Sequence, residues 1–510
     1  MIRLAFLLLL LCDVACAAER RSEVYDQRLA DWRTHQVVYQ VFVDRFAAEP
    51  DPASRAALYA APRRLRPWTA QPEKGKFVPE AKVWGHELDF WGGTLAGVTS
   101  HLDYIHGLGA NVLYLNPIFL SLTNHKYDTT DYFQVDPQFG TREDFAKLCA
   151  EAHRRGMRVV LDGVLNHVGE RNPWFNDPAK RSFFRFDPSA PNGYVSWLDV
   201  PSMPELNYDD PQVRDVIYRK PDSVVQSWLK DADGWRLDVA FELGPRLLSE
   251  ITAAAHRARA DSYVTGEIYN YPEGWIPAMD GVMDMYLARI VIELTKGQFE
   301  PRKAAHMIES LIADVGIEGL LRSWTVLSNH DRPRLKSVFP SIVDRNFALV
   351  LQATLPGAPL FYYGEEIGLE GGDDPEQRGP MDWDAVRSGA TPELDLTRRV
   401  IALRNTHRAL QIGDWKPVPS QHLLAFTRYT ASVRDTVLVL ANPSLEPVSE
   451  LIGPRDSFLM DGTPMDDALG GRATHVHMGL VNVTVPPLTV QVLVPRIPAG
   501  GGYDRYKRVP

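Results

Sequence analysis

Cysteine is nearly absent from this chain. The 510 residues hold three, and Cys12 and Cys16 fall in an N-terminal leader, which leaves Cys149 alone. One thiol excludes an internal disulfide framework. Cys149 shares a helical face with Phe145, Leu148 and Ala152 and has no activating neighbour in sequence, so it reads as core. Positive charge is also in deficit. Lys and Arg number 55 against 65 Asp and Glu, for a net charge of −10, and no basic run appears. That excess of negative charge argues against a nucleic-acid partner. Long apolar runs are missing beyond residue 11, so no membrane span is predicted. The one early run, Leu4 to Leu11 after Arg3, is too short to cross a bilayer. With Ala15-Cys16-Ala17 as cleavage site, residues 1–17 read as a signal peptide and the protein as exported, periplasmic or secreted. A lipid anchor on Cys16 ranks second, because Asp13 stands where an aliphatic residue is preferred. There is no internal repeat beyond a strand-helix period.

The remainder is the composition of an ordinary folded enzyme, 24% charged and 45% hydrophobic, and its length predicts two or three domains. Val37 to Val43, Asn111 to Leu115 and Arg158 to Val164 are nearly continuous apolar runs. Between them lie helical patterns at Leu95 to Leu108 and Arg142 to Arg155, the second stopped by Gly156. Apolar strands separated by helices are the parallel-sheet pattern. A Pro- and Arg-rich stretch, Ala47 to Lys82, interrupts it as a long loop or insertion. Strand 6 is expected at Gly281 to Tyr286 and strand 8 at Pro359 to Tyr363. After Asp414 short β runs alternate with turn residues, which predicts a C-terminal antiparallel domain.

Three acids end three of the buried runs. Asp238 closes Gly-Trp-Arg-Leu-Asp-Val, Glu267 stands in Thr-Gly-Glu-Ile-Tyr, and Asp331 in Leu-Ser-Asn-His-Asp. A carboxylate at the end of an apolar run is either a site or a paired structural ion. Three of them, two beside Arg or His, favour a site. Cutting a glycosidic bond with retention needs one carboxylate as nucleophile and a second carboxyl as acid, then base. The acids are 29 and 64 residues apart. An eight-unit barrel uses roughly 30 residues per unit, so the gaps are one unit and two. The acids then fall on strands 4, 5 and 7, and all strands end on one face. The expected fold is an α/β (β/α)8 TIM barrel over residues 18–413, with a small lobe inserted after strand 3 at 168–209. A C-terminal antiparallel β-sandwich follows over 414–497, then a tail, 498–510.

With these phrases in order, the chain resembles the α-amylase superfamily, family 13 of the glycoside hydrolases, from Val37 to about Pro495. The motifs are Asp162-Gly163-Val164-Leu165-Asn166-His167, then Gly234 to Asp238, Gly266-Glu267, and Asn329-His330-Asp331. Tyr127 to Tyr132 and Tyr363-Gly364-Glu365-Glu366 match as well. The resemblance implies that Asp238 attacks the anomeric carbon, Glu267 protonates the leaving oxygen and then activates water, and Asp331 holds the distorted sugar. It implies that Arg236 keeps Asp238 ionised, that His167 and His330 bind hydroxyls of the sugar being cut, and that Tyr127 stacks on it. Asp162 is expected to orient Arg236. Asp374 and Arg378 read either as donor-side sugar binders or as a surface ion pair four residues apart.

Met203-Pro204-Glu205-Leu206-Asn207 and Asp238-Val239-Ala240 are similar to the cyclomaltodextrinase, neopullulanase and maltogenic amylase branch. Phe241-Glu242 replaces the Lys-His of many α-amylases, which favours cyclodextrins, pullulan or maltooligosaccharides as substrates. Members of the branch usually carry an extra N-terminal β domain. Here strand 1 follows the leader by about twenty residues, so none is expected and the oligomeric state is left open. The resemblance requires no cofactor. Oxygen ligands are sparse from Ala47 to Pro52, and Asn166, which matches a calcium ligand of other α-amylases, cannot alone build a site of six to eight oxygens, so calcium is left open but not predicted and no metal ligand is assigned. Starch-cleaving α-amylase, α-glucosidase and α-glucan transglycosylase use the same machinery and stay as alternatives. A non-catalytic glucan-binding protein is a remote one, since all three acids are present.

Overall fold

Eight parallel strands close a barrel among the residues that the computed structural model describes, which are 22–497 apart from positions 50, 51, 390 and 457. They are β1 Val38–Val41, β2 Val112–Leu115, β3 Arg158–Gly163, β4 Gly234–Leu237, β5 Tyr263–Ile268, β6 Gly281–Asp284, β7 Trp324–Val326 and β8 Ala358–Tyr362. Each pairs with its successor and β8 returns to β1. Successive side chains alternate between the barrel interior and the helical layer. Val38, Val112, Val160, Tyr263, Met283 and Trp324 fill the interior. Two residues further along their strands, on the same side, stand Gln40, Tyr114, Asp162 and, on β4, Arg236. The apolar layer thus gives way to a polar one at the strand ends, where a barrel keeps its active site.

Local chemistry sets the helices around this sheet. Thr141 accepts the backbone N–H of Asp144, whose carboxylate accepts that of Thr141 in return, and this capping box starts helix Arg142–Arg154. Gly156, at φ 73°, takes the left-handed conformation that stops it. Cys149 is buried on this helix, as its apolar neighbours predict. Three expected elements differ. The run Val37 to Val43 is a strand only to Val41, and Val43 opens a helical turn, Val43–Phe46. The 95–108 pattern breaks at His101 into Leu95–Ser100 and Leu102–Gly107. β6 ends at Asp284, because that carboxylate caps helix Met285–Thr295 by accepting the Leu287 N–H at 2.8 Å, so Tyr286 is helical. A short apolar run alone does not separate strand from helix. Single 3-10 turns at Pro272–Gly274 and Ile276–Ala278 replace a helix between β5 and β6.

The lobe after β3 is held by isolated bridges, His167 with Glu205 and Phe184 with Leu206 among them, around a cluster of Phe175, Phe184, Phe186 and Tyr194. The insertion after β1 forms two short ribbons, Arg64–Leu65 with Asp89–Phe90 and Phe77–Val78 with Val83–Trp84. Beyond the barrel, eight antiparallel strands follow: β9 Asp414–Pro417, β10 Leu424–Tyr429, β11 Val437–Asn442, β12 Val448–Ile452, β13 Pro464–Asp467, β14 Thr474–His477, β15 Leu480–Val485 and β16 Thr489–Pro495. Their order is β9-β10-β11-β16-β13-β14-β15-β12. Leu438 and Leu440 of β11 share a core with Ile452, Val481 and Val483, so the sheet folds back over itself as a sandwich does. Buried Arg428 of β10 ties it to the barrel, donating to the carbonyls of Thr354 and Gly413, each at 2.9 Å. No helix among the described residues is long and apolar enough to cross a membrane. The leader and the tail lie outside the described residues.

Candidate active site

The register of β4 and β5 brings two of the acids together. Leu237 pairs with Gly266, so the residues that follow, Asp238 and Glu267, stand side by side at the strand ends. Arg236, inward-facing and fully buried, lies beneath both. Its Nη1 donates to Asp238 Oδ1 and Asp162 Oδ1, each at 2.8 Å, and its Nη2 is 3.0 Å from Glu267 Oε2. Val239 follows at φ 46°, ψ 40°, a left-handed conformation that costs a β-branched residue on the order of 1–3 kcal/mol. That turn aims its N–H at Glu267 Oε2, 3.1 Å away. The Tyr269 hydroxyl donates to the other oxygen, Oε1, at 3.1 Å.

Asp331 completes the set from the loop after β7, which ends at Val326. Its Oδ1 lies 3.3 Å from Arg378 Nη2, and its Oδ2 3.0 Å from His330 Nε2. Arg378 Nη1 also meets Asp374 Oδ1 at 2.8 Å, so the two are a pair and both face the same cavity as the acids. This cavity, of about 440 Å³, is within the size range of small-molecule sites. Asp238, Glu267, Asp331, Tyr127, His167, Asp374 and Arg378 all line it.

Arg236, His330 and Asp162 do not; they form the layer beneath. Gln40 Nε2 donates to Asn116 Oδ1 and to His330 Nδ1, each at 2.9 Å. His330 therefore carries its proton on Nε2, which is 2.5 Å from the Tyr127 hydroxyl. Asn116 Nδ2 donates to that hydroxyl at 3.0 Å, and the hydroxyl donates to Asp162 Oδ2 at 2.8 Å. The resemblance implies that His330 binds sugar hydroxyls. In the structure both its nitrogens already have protein partners, and it supports Tyr127 and Asp331 from behind. Asp162 takes the expected supporting position, held also by the Tyr114 hydroxyl at 2.6 Å.

Charge in this pocket is crowded. Burial pushes the Asp238 carboxyl well above its ordinary range; Arg236 pulls it down, while Glu267, Asp162 and Asp331 push it further up. Arg236 is the cation that favours the ionised form of Asp238, the role the resemblance implies, and its guanidinium is shared with Asp162 and Glu267. Burial also raises Asp162, and raises Asp331 although a third of that side chain is open. Burial works upward on Asp374 too, but Arg378 and then His86 outweigh it and hold that carboxyl well below the usual range.

His167 is buried with neither ring nitrogen bonded to protein, and it faces the cavity with Trp197 stacked on it at 5.6 Å. Such a pair of orphaned atoms suits a polar ligand. Burial lowers its pKa to about 3. A folded-state value below the unfolded one near 6.5 means that the unfolded chain binds more protons between the two, so stability falls as pH falls through that window. The slope for this residue is about 1.4 kcal/mol per pH unit. We expect wild-type stability to drop from pH 6.5 to pH 5 by about 2 kcal/mol more than that of His167→Asn, measured by urea unfolding. Parallel curves would show that the imidazole is not held neutral.

Several lining residues carry no sequence signal, among them Glu87 from the insertion and Trp197 and Leu198 from the lobe. His125 does have one, two positions before Tyr127 in a matched motif. Its Nδ1 accepts the Tyr127 N–H at 3.0 Å, and its Nε2 meets Glu87 Oε1 at 3.1 Å. Among the described residues no cluster of three His, Cys, Asp or Glu is arranged to hold a metal. Asn166 donates to Glu242 Oε2 at 2.8 Å, and Asp51 of the loop read for calcium ligands lies outside the described residues.

Residues 40–412 match the family model of the α-amylase catalytic domain. The chain is 32% identical over 483 residues to a cyclomaltodextrinase of Geobacillus thermopakistaniensis (strain MAS1), covering 90% of this chain and 76% of that one. It is 31% identical over 501 residues to neopullulanase 2 of Thermoactinomyces vulgaris, covering 93% and 79%. Among solved structures, the ligand-free cyclic α-maltosyl-(1→6)-maltose hydrolase of Arthrobacter globiformis superposes with a TM-score of 0.75 at 28% identity, over 91% of this chain and 99% of that one. The type III pullulan hydrolase of Thermococcus kodakarensis gives 0.75 at 28% identity, over 91% and 82%.

Proposed function

The chain belongs to the α-amylase family of glycoside hydrolases, on the side of cyclomaltodextrinases and neopullulanases, and from that membership we propose that it cleaves α-1,4-glucosidic bonds with retention. Its substrates are cyclodextrins, maltooligosaccharides or pullulan-like α-glucans. The observation that carries the mechanism is one guanidinium in contact with two carboxylates, Asp238 at 2.8 Å and Glu267 at 3.0 Å. Carboxyls gathered on one small cation suit the short separation of a retaining pair, rather than the wider gap that holds a water in an inverting one.

Asp238 attacks the anomeric carbon while Glu267 gives a proton to the departing oxygen. Glu267 then takes a proton from water, which attacks the glycosyl-Asp238 ester from the vacated side. Burial and neighbouring anions leave Asp238 short of solvation for its charge. The positive charge that develops on the sugar supplies what water does not, so the carboxylate is stabilised most in the transition state. Asp331 and His167 hold hydroxyls of this sugar, Tyr127 stacks on it, and Asp374 with Arg378 bind the next unit on the donor side. On the acceptor side, Phe241 and Tyr269 present partly open rings 6.4 Å apart. These apolar faces are what favours cyclodextrins and short glucans over starch. Export is part of the proposal and rests on residues 1–17.

Products from β-cyclodextrin, pullulan, soluble starch and maltotriose, compared in parallel with purified protein, test it. We expect fast ring opening and poor starch cleavage. Preferred conversion of starch to mixed oligomers would mark an α-amylase instead, and no turnover of any of the four would leave a binding protein.

A further inference from the structure

We propose that Trp84 and Phe77, on the insertion after β1, form a stacking platform for glucan units beyond Asp374 and so set a preference for longer chains. The platform presupposes the glucan site proposed above and adds to it a donor-side position that the cavity itself does not include.

The sequence of this segment explains its shape. Phe77 pairs across the ribbon with Trp84, and Val78 with Val83. Directly opposed residues share a face, and neighbours along a strand face opposite ways. Val78 and Val83 therefore turn inward together, into a small core with Ala81, Leu88 and Leu122. Phe77 and Trp84 turn outward together, with their rings edge to face at 5.6 Å. They remain 43% and 46% exposed, among the most open aromatic side chains described. Two large rings left in water side by side on a fixed ribbon mark a contact surface.

The ribbon is fixed on several sides. Lys82, in its turn, forms an ion pair with Glu170 of the lobe after β3. Gly85 donates to the Lys76 carbonyl at 2.7 Å, and Arg64 Nη2 donates to the Gly85 carbonyl at 2.8 Å. The ribbon is thus a bridge from the insertion to the lobe, next to the cavity wall that His86 and Glu87 support.

Its position relative to the reaction follows from contacts already described. The leaving group lies on the side of Glu267 and Tyr269. Asp331, Arg378 and Asp374 run the opposite way, toward the donor sugars. The Gly75 N–H donates to His86 Nδ1 at 3.1 Å, so His86 carries its proton on Nε2, which meets Asp374 Oδ2 at 3.1 Å. The Trp84 ring stacks on His86 at 6.4 Å and 25°. A glucan leaving the cavity past Asp374 therefore meets the Trp84 face next. Pyranose rings present apolar C–H faces that pack on aromatic rings, which is why the continuing chain, rather than an unrelated ligand, is the occupant that fits.

The test compares affinities for maltose and maltohexaose, by calorimetry on protein carrying Asp238→Asn so that the sugars are not consumed. Trp84→Ala removes a half-open ring together with its packing on Phe77 and His86, while the backbone N–H still reaches Glu87. We expect it to weaken maltohexaose about tenfold and maltose less than twofold, with Trp84→Phe recovering most of the loss. Phe77→Ala is expected to act in the same direction, more weakly. An equal loss for both sugars, or none for either, would overturn the platform. So would an unchanged length preference accompanied by a shift from dimer to monomer in sedimentation, which would make the patch a contact with a second copy. If the parent protein binds neither sugar, the glucan site itself falls and the platform with it. If the parent binds both and Trp84→Ala is indifferent, only the platform falls.

Discussion

Asp238→Asn is expected to lower kcat on β-cyclodextrin by at least about 10⁴-fold while the affinity for uncleaved sugar changes little. The amide keeps the size and shape of the carboxylate and still offers an oxygen to Arg236 Nη1, 2.8 Å away in the native protein. It has no negative charge to attack carbon or to face the cationic transition state. The side chains proposed to bind substrate, His167, Tyr127, Asp374 and Arg378, are untouched. Steady-state rates and calorimetry on the same preparation separate the two effects. A variant retaining more than about a tenth of wild-type kcat would remove Asp238 from the role of nucleophile.

The largest stability effect is expected at Arg236→Met. This guanidinium is fully buried and touches Asp162, Asp238 and Glu267. Methionine can fill much of the space but leaves buried carboxylates facing each other with no cation. Removing one partner of a buried ionic set costs about 3–5 kcal/mol. The protein can relieve this only by keeping protons on carboxyls. A carboxyl protonated when folded and ionised when unfolded binds more protons in the native state, so its stability falls as pH rises above the unfolded value near 4. The deficit against wild type should therefore widen from pH 5 to pH 7.5 in urea unfolding. A gap below about 1 kcal/mol at both values would mean that the carboxylates do not depend on Arg236 for their charge.

Much of this site is legible in the sequence. Asp238, Glu267 and Asp331 stand out because acids at the ends of apolar runs are costly, and their spacing follows the barrel repeat. Tyr127 and His167 stand in matched motifs, Asp374 and Arg378 carry two readings in sequence, and all four reach the cavity. The division of labour among them was less visible. Nothing in Asn329-His330-Asp331 says that His330 has both nitrogens engaged by Gln40 and Tyr127, since those partners come from β1 and from the loop after β2. Val239 gave no warning either. A β-branched residue in a left-handed turn contradicts its local preference, and only the contact with Glu267 gives that turn a purpose.

The sequence by itself determined the barrel, the antiparallel domain after it, and which acids meet at the strand ends. These depend on periodicity, on spacing and on the cost of burying charge, all of which are written along the chain. The tertiary structure decided how one buried arginine is divided among three carboxylates. It decided that the stretch between Ala47 and Lys82, Pro- and Arg-rich but without a strand or helix period, continues into a ribbon that joins the lobe and carries two open rings beside the cavity. Such features are set by contacts between segments far apart in the chain, and no local pattern encodes which of them will become neighbours.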